Sequence, residues 1–415
     1  MARFGKSESL RLALLLPHVG VTGGLGVHGR TLVESLLELP EAFRITIIAP
    51  KEPGRLFPKS GLEPGWQGLA QDDRVDLELV DWPTRLSLAD PLDPVLARLD
   101  CIQTSDVIYS SYYTGMADPP APQVVTFHDA GFLEYPEGFG GIAETRRKTL
   151  EQVAPAIRLM HCVSADARDR ICRLLPFHAS RTRVVWHALA DHPEAMAQAR
   201  GTGWKTAPLW PGGDGLGQWG RYAFFPVGAA TGFNRRRKNA PLAVEAFRAL
   251  GLIDLRLVIA STCLLDEVSL EQLLPESERA RGALSGGAWR SDDGKVLVLP
   301  NLDRPEFLAA MANALLVYYP TRYEGFGLPA IEAMALGVPL ITGNTTSLPE
   351  IVGDAGVLVN PDSLECLANA LKLVCSDSGY RSGLVAKGLQ RVGLFSRNAM
   401  AQGMLDLFRD AASPR

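Results

Sequence analysis

Residues 314–342 read ALLVYYPTRYEGFGLPAIEAMALGVPLIT. Two short apolar runs, ALLVYYP and VPLIT, bracket a turn, GFGLP, and a helical stretch, so the segment spells strand, loop, helix, strand. A helix between two such strands makes them parallel neighbours, because only a crossover of that length returns the chain to the same edge. Within the segment Glu324 and Glu332 stand eight residues apart. The first falls on the loop after a strand and the second about one turn into the helix. The amides of Phe326, Gly327 and Leu328 open that helix, where unpaired N–H groups and the helix dipole favour an anion. One segment therefore offers amides to phosphates and carboxylates to hydroxyls.

Outward from this segment the same alternation repeats. YAFFPVG, RLVIAS, KVLVLP and GVLVN are strand candidates in the second half, separated by helices such as NAPLAVEAFRAL and PEFLAAMANA. The first half has LRLALLLP, ITIIAP, DLELVDWP, VIYSSYY, QVVTFHD, MHCVSA and TRVVWH. Parallel sheets with crossover helices are expected in both halves. Between them, ALADHPEAMAQARGTGWKTAPLWPGGDGLGQWG is rich in Gly, Pro and Trp without a sustained period, and reads as a linker or insertion. The expected divisions are 1–190, 191–220 for the insertion, 221–394, and a closing helix at 395–415 that can cross back to the first domain. Two doubly wound domains facing across a cleft follow, with ligands at the carboxyl ends of their strands.

Bulk properties agree with a soluble two-domain protein. At 415 residues the chain exceeds the roughly 250–300 at which single cores stop growing. A net charge of −4 leaves no electrostatic footprint for nucleic acid, although RRK at 146–148 and RRRK at 235–238 are local basic patches. The six cysteines include no C-x-x-C pair, and read as buried thiols in a reducing compartment. No apolar run approaches the roughly 20 residues of a spanning helix. The chain is expected in the cytoplasm, at most touching the inner face of a membrane.

Near the N-terminus TGGLGVHG (22–29) contains G-x-G-x-x-G, the spacing of a dinucleotide loop. Two details oppose that use. HVGVT separates the strand from the first glycine, and the second strand ends in Ala49-Pro50 where a ribose-binding acid belongs. The loop is better suited to another phosphate-bearing ligand. His18 and His28 carry no further signal and read as structural, and Tyr112 and Tyr113 as packing residues.

The segment 323–363 resembles the E-x7-E signature of the retaining GT-B glycosyltransferases of family 4. SSYY (110–113) with VVTFHDAGFLEYPE, RRKNAPLAVEAF (236–247) and FSRNAMAQGMLDLF (395–408) resemble further segments of members that build bacterial surface polysaccharides, in the same order. The resemblance implies an α/β GT-B fold of two Rossmann-like domains, and transfer of a sugar, with mannose the first guess, from a nucleoside-diphosphate donor to a saccharide or lipid-linked hydroxyl. It implies that Gly23 and Gly24 approach the donor diphosphate, Lys238 neutralises the phosphates, Glu332 binds the ribose, and Glu324 and His128 address the transferred sugar. No metal or cofactor is implied. The family's usual Arg before the Lys is replaced by Phe233 and Asn234, so Arg235, Arg236 or Arg237 takes its place, with Arg237 the candidate. The strand before the insertion ends WHALAD where the family has N-G. A non-transferring GT-B enzyme such as a sugar-nucleotide epimerase, or a NAD-dependent oxidoreductase built on the glycine loop, are the alternative readings.

Overall fold

The computed structural model describes residues 9–17, 24–41, 43–51, 64–81, 92–139, 141–175, 177–191, 193–201, 218–227, 233–261, 273–279, 282–285, 288–299 and 302–414. The chain divides into two compact units, Met1–Ala190 with Ser396–Arg415, and Asp191–Phe395.

The first unit is built on seven strands: β1 (Leu10–Leu15), β2 (Phe43–Pro50), β3 (Val75–Val80), β4 (Val107–Ser110), β5 (Gln123–Phe127), β6 (Ile157–Cys162) and β7 (Thr182–Val184). They lie side by side in the order β3-β2-β1-β4-β5-β6-β7, all parallel. Helices cover both faces of such a sheet, which is why β4 and β5 are buried at every position and read in sequence as apolar runs rather than alternations. Strand order reverses between β1 and β4, so the loops leaving those two strands diverge and open a crevice at their carboxyl ends. The terminal helix Arg397–Ala412 belongs to this unit. Its Met400, Met404 and Phe408 join Leu12, Leu14 and Tyr109 in one apolar cluster. Ser396 caps it by accepting from the Ala399 amide, and Arg397 is held by Glu34 at 2.8 Å and the Ala190 carbonyl at 2.6 Å.

The second unit repeats the plan with β8 (Arg221–Val227), β9 (Leu255–Ser261), β10 (Gly282–Ser285), β11 (Ala288–Ser291), β12 (Val296–Leu299), β13 (Leu316–Tyr319), β14 (Leu340–Gly343) and β15 (Val357–Val359). Their order is β10-β11-β12-β9-β8-β13-β14-β15. The reversal falls between β8 and β13.

Three local features differ from the sequence reading. The second sheet is not wholly parallel: β10 and β11 form a hairpin whose second strand pairs antiparallel with β12, covering an edge that would otherwise present unpaired backbone groups. The segment read as linker starts with a helix, Pro193–Ala199, since EAMAQA consists of strong helix formers behind a proline in the first turn. Its residues 202–217 lie outside the described residues. The cysteines are not uniformly buried: Cys162 and Cys375 are, Cys101 and Cys172 are half-buried, and Cys366 is exposed in the first turn of the helix Leu364–Ser376.

Candidate active site

In the second unit, the segments leaving β8 and β13 meet at the point where the strand order reverses. From the first comes the short helix Phe233–Lys238, and from the second the loop carrying Glu324. Their side chains form a buried ionic cluster. Lys238 Nζ lies 2.8 Å from Glu324 Oε1, and Arg237 Nη1 lies 2.8 Å from Glu324 Oε2. Oε1 also accepts from the hydroxyls of Tyr319 (2.6 Å) and Thr321 (3.0 Å). The Tyr319 hydroxyl accepts from Lys238 at 2.5 Å.

Electrostatics follow from this geometry. Burial opposes the charge on Glu324, but Arg237 and Lys238 outweigh it and hold the carboxyl at about 2. Burial draws Lys238 down to about 8 against the attraction of Glu324. At neutral pH the cluster is therefore ionised and carries a net positive charge.

The backbone is bent to hold this arrangement. Among the described residues Asn239 (φ 61°) and Thr346 (φ 53°) are the non-glycine positions in the left-handed region, and both belong to the cluster's surroundings. Asn239 donates to the carbonyls of Pro320 and Pro361, which ties the end of the Phe233–Lys238 helix to the β13 loop. Thr346 accepts the Glu324 amide at 3.0 Å. A β-branched residue is a poor occupant of that conformation, and strain of this kind gathers where function fixes geometry.

Glu324 leads into the helix Leu328–Ala335. Gly327 is its N-cap at φ 104°, and a Cβ there would stand 2.8 Å from Leu348 Cδ2. Both the dihedral and the space demand glycine, so the GFGLP turn has a physical reason. Phe326 is a packing residue, edge-on to Phe395 at 5.9 Å. Glu332, one turn further on, is buried and accepts from Arg304 Nη2 at 2.6 Å. Its charge also reaches Lys238 and Tyr319.

In the first unit Gly24 is the first residue of the helix Gly24–Leu37, and Gly23 lies outside the described residues. His128 follows β5 and belongs to a cluster that takes in four of the chain's seven histidines. Its ring stacks on His187 at 5.7 Å and meets His28 edge-on at 5.0 Å. His128 Nε2 donates to the Ser111 carbonyl at 2.7 Å. Burial holds all four rings below the usual imidazole range, His161 at about 4, so each is neutral at pH 7.

Backbone carbonyls fix two of the protons, because a carbonyl can only accept. His161 Nε2 donates to the Val185 carbonyl at 2.9 Å, which leaves its Nδ1 unprotonated, 3.2 Å from Thr126 Oγ1. Thr126 Oγ1 donates to the Tyr109 hydroxyl at 2.6 Å, and that hydroxyl lies 2.9 Å from His28 Nε2. His28 Nδ1 lies 2.8 Å from His187 Nδ1. His128, with its proton on Nε2, presents a bare Nδ1.

Of the residues singled out from sequence, Arg237, Lys238 and Glu324 converge in the second unit, where Gly327, Leu328 and Glu332 share one helix. His128 and Gly24 lie in the first. Sequence reading missed Tyr319, Thr321, Thr346 and Arg304 around the acids, and Tyr109, His161 and His187 around His128. A signal existed for the histidines: His128, His161 and His187 all sit at or just after the ends of strands in a parallel sheet, which places them at one rim.

The chain matches two family models, Glycosyltransferase Family 4 over residues 22–189 and Glycosyl transferases group 1 over residues 232–391. It is 29% identical over 279 residues to O-antigen chain mannosyltransferase B of Escherichia coli, covering 66% of each chain. It is 34% identical over 118 residues to D-inositol 3-phosphate glycosyltransferase of a Nocardioides species, covering 28% of this chain and 26% of that one. The matched segments thus span less than two thirds of either relative. Among solved structures, sucrose-phosphate synthase of Thermosynechococcus elongatus superposes with a TM-score of 0.67 at 19% identity, over 97% of this chain and 100% of that one. The architecture is that of the GT-B fold.

Three outcomes are expected. Gly327→Ala should cost at least about 1–2 kcal/mol, the strain of a left-handed Cβ-bearing residue, measured by denaturant unfolding; an unchanged midpoint would contradict the cap geometry. Long-range proton–nitrogen NMR at pH 7 should find all four rings neutral, with His128 and His161 protonated on Nε2. Because His161 titrates at about 4, below its unfolded value, stability should fall as pH drops from about 6.5 towards 4, by at most about 1.4 kcal/mol per pH unit from that ring, and the other three rings act in the same direction.

Proposed function

From a chain that belongs to the family 4, group 1 glycosyltransferases, we infer an enzyme that moves a sugar, mannose, from a nucleoside-diphosphate donor to the hydroxyl of a saccharide or lipid-linked acceptor. The observation that carries this reading is the net positive Arg237–Lys238–Glu324 cluster at the switch point of the second sheet, beside the helix N-terminus at Gly327. Breaking a glycosidic bond to a nucleoside diphosphate releases a concentrated anion and leaves an oxocarbenium-like sugar. Fixed cations and helix amides that are already in place stabilise the first without reorganisation. Mannose, and a role in cell-surface polysaccharide or glycolipid synthesis, are supported by likeness to the O-antigen chain mannosyltransferase.

Each group has a task. Lys238 and Arg237, now balanced in part by Glu324, share themselves with the arriving diphosphate. Glu324 is then drawn from its cations towards the transferred sugar. Glu332 accepts from the ribose hydroxyls, a part of the donor remote from the reacting carbon. His128 accepts from a sugar hydroxyl through Nδ1. Configuration is retained by same-face substitution, in which the acceptor hydroxyl enters on the side the diphosphate leaves and gives its proton to the departing phosphate. The cations make a divalent metal unnecessary.

The pH dependence tests Lys238. Its ammonium must be charged to hold phosphate, so kcat/KM for the donor should fall as pH rises through about 8, and Lys238→Arg should move that limb upward. A flat profile to pH 10 would remove Lys238 from the phosphate site.

A GDP-mannose titration at saturating acceptor, in EDTA, separates the two acids. Glu332→Ala removes binding common to ground and transition states and should chiefly raise KM, whereas Glu324→Ala should chiefly lower kcat. The reverse pattern would exchange their roles. Activity lost in EDTA and regained with Mg²⁺ would overturn the metal-free reading.

A further inference from the structure

Arg304 occupies an odd place. It opens the helix Arg304–Ala312 behind its N-cap Asp303, whose carboxylate and Glu306 form a capping box. A cation in a first turn faces the positive end of the helix dipole, where acids are favoured. Two carboxylates account for it. The Nε and Nη2 edge of the guanidinium grips both oxygens of Asp191, and Nη2 also donates to Glu332 Oε1 at 2.6 Å. One positive charge between two negative ones leaves the triad with a net negative charge.

The second oxygen of Glu332 is the consequence. Arg304 engages Oε1, and among the described residues Oε2 takes no hydrogen bond. With Arg304 immobilised by Asp191, the carboxylate plane of Glu332 is fixed, because rotating it would break its one charged contact. An ammonium could not do this, since it has no planar fork to span two acids.

We propose that Arg304 is a positioning residue of the donor site, which clamps Glu332 Oε1 so that Oε2 is presented in a fixed direction to the vicinal hydroxyls of a nucleotide ribose. The proposal rests on the ribose role of Glu332 given above. Arg304 itself touches no ligand. It sets how well the site separates a ribose from a sugar lacking those hydroxyls.

The test is calorimetric titration of whichever of GDP, UDP and ADP binds, and of its 2′,3′-dideoxy counterpart, to the wild type and to Arg304→Gln. The wild type should prefer the ribose form by about tenfold or more, as expected for hydrogen bonds to a charged group. In Arg304→Gln this preference should collapse towards unity while affinity for the dideoxy form stays within about twofold. Should that variant fail to fold, Arg304→Lys keeps the charge and carries the same expectation of a reduced preference. Equal loss of both affinities with the preference intact would show a purely structural role and overturn the proposal, as would an unchanged preference. No preference in the wild type would instead remove the ribose role of Glu332, and the proposal would fall with it.

Discussion

The second unit is organised around one buried carboxylate. Glu324 can be ionised inside the protein only because Arg237 and Lys238 reach it from another segment and Tyr319 and Thr321 fill its remaining lone pairs. Removing one partner of such a group leaves an uncompensated charge, at a cost of about 3–5 kcal/mol. That constraint explains the local distortions: the left-handed Asn239 stitches the cationic helix to the β13 loop, and the left-handed Thr346 caps the Glu324 amide. The backbone strain is the counterpart of holding four donors around two oxygens.

The two units use one topology for opposite electrostatics. In each, the strand order reverses and the diverging loops gather polar groups at the carboxyl ends. The second unit gathers full charges, two cations on one carboxylate, with a positive surplus. The first gathers four imidazoles that burial keeps uncharged, joined by hydrogen bonds that need no ions. An anion suits the first kind of site and a neutral hydroxyl the second.

Much of this was legible in the sequence because parallel sheets write themselves as apolar runs at regular intervals. The run ALLVYYP and the turn GFGLP placed Glu324 on a loop and Glu332 in a helix, as found. What could not be read was partnership across long separations. Arg304 meets Glu332 from 28 residues away and Lys238 meets Glu324 from 86, and no local pattern encodes such a meeting. The choice among Arg235, Arg236 and Arg237 likewise depends on helix phase: Arg237 turns towards Glu324 while Arg236 is exposed. The hairpin of β10 and β11 escaped because residues 282–291, GALSGGAWRS, are broken by glycine and serine and show no apolar run of the kind that marks the other strands.

The Thr126 hydroxyl is the junction of the imidazole cluster. It donates to Tyr109, which reaches His28 and through it His187, while its oxygen faces His161 Nδ1. A hydroxyl has one hydrogen to give, and Thr126 gives it to Tyr109. A methyl group exchanged for that hydroxyl would take the donor from Tyr109 and part His161 from the other rings, leaving every ring in place but the polar thread between them cut.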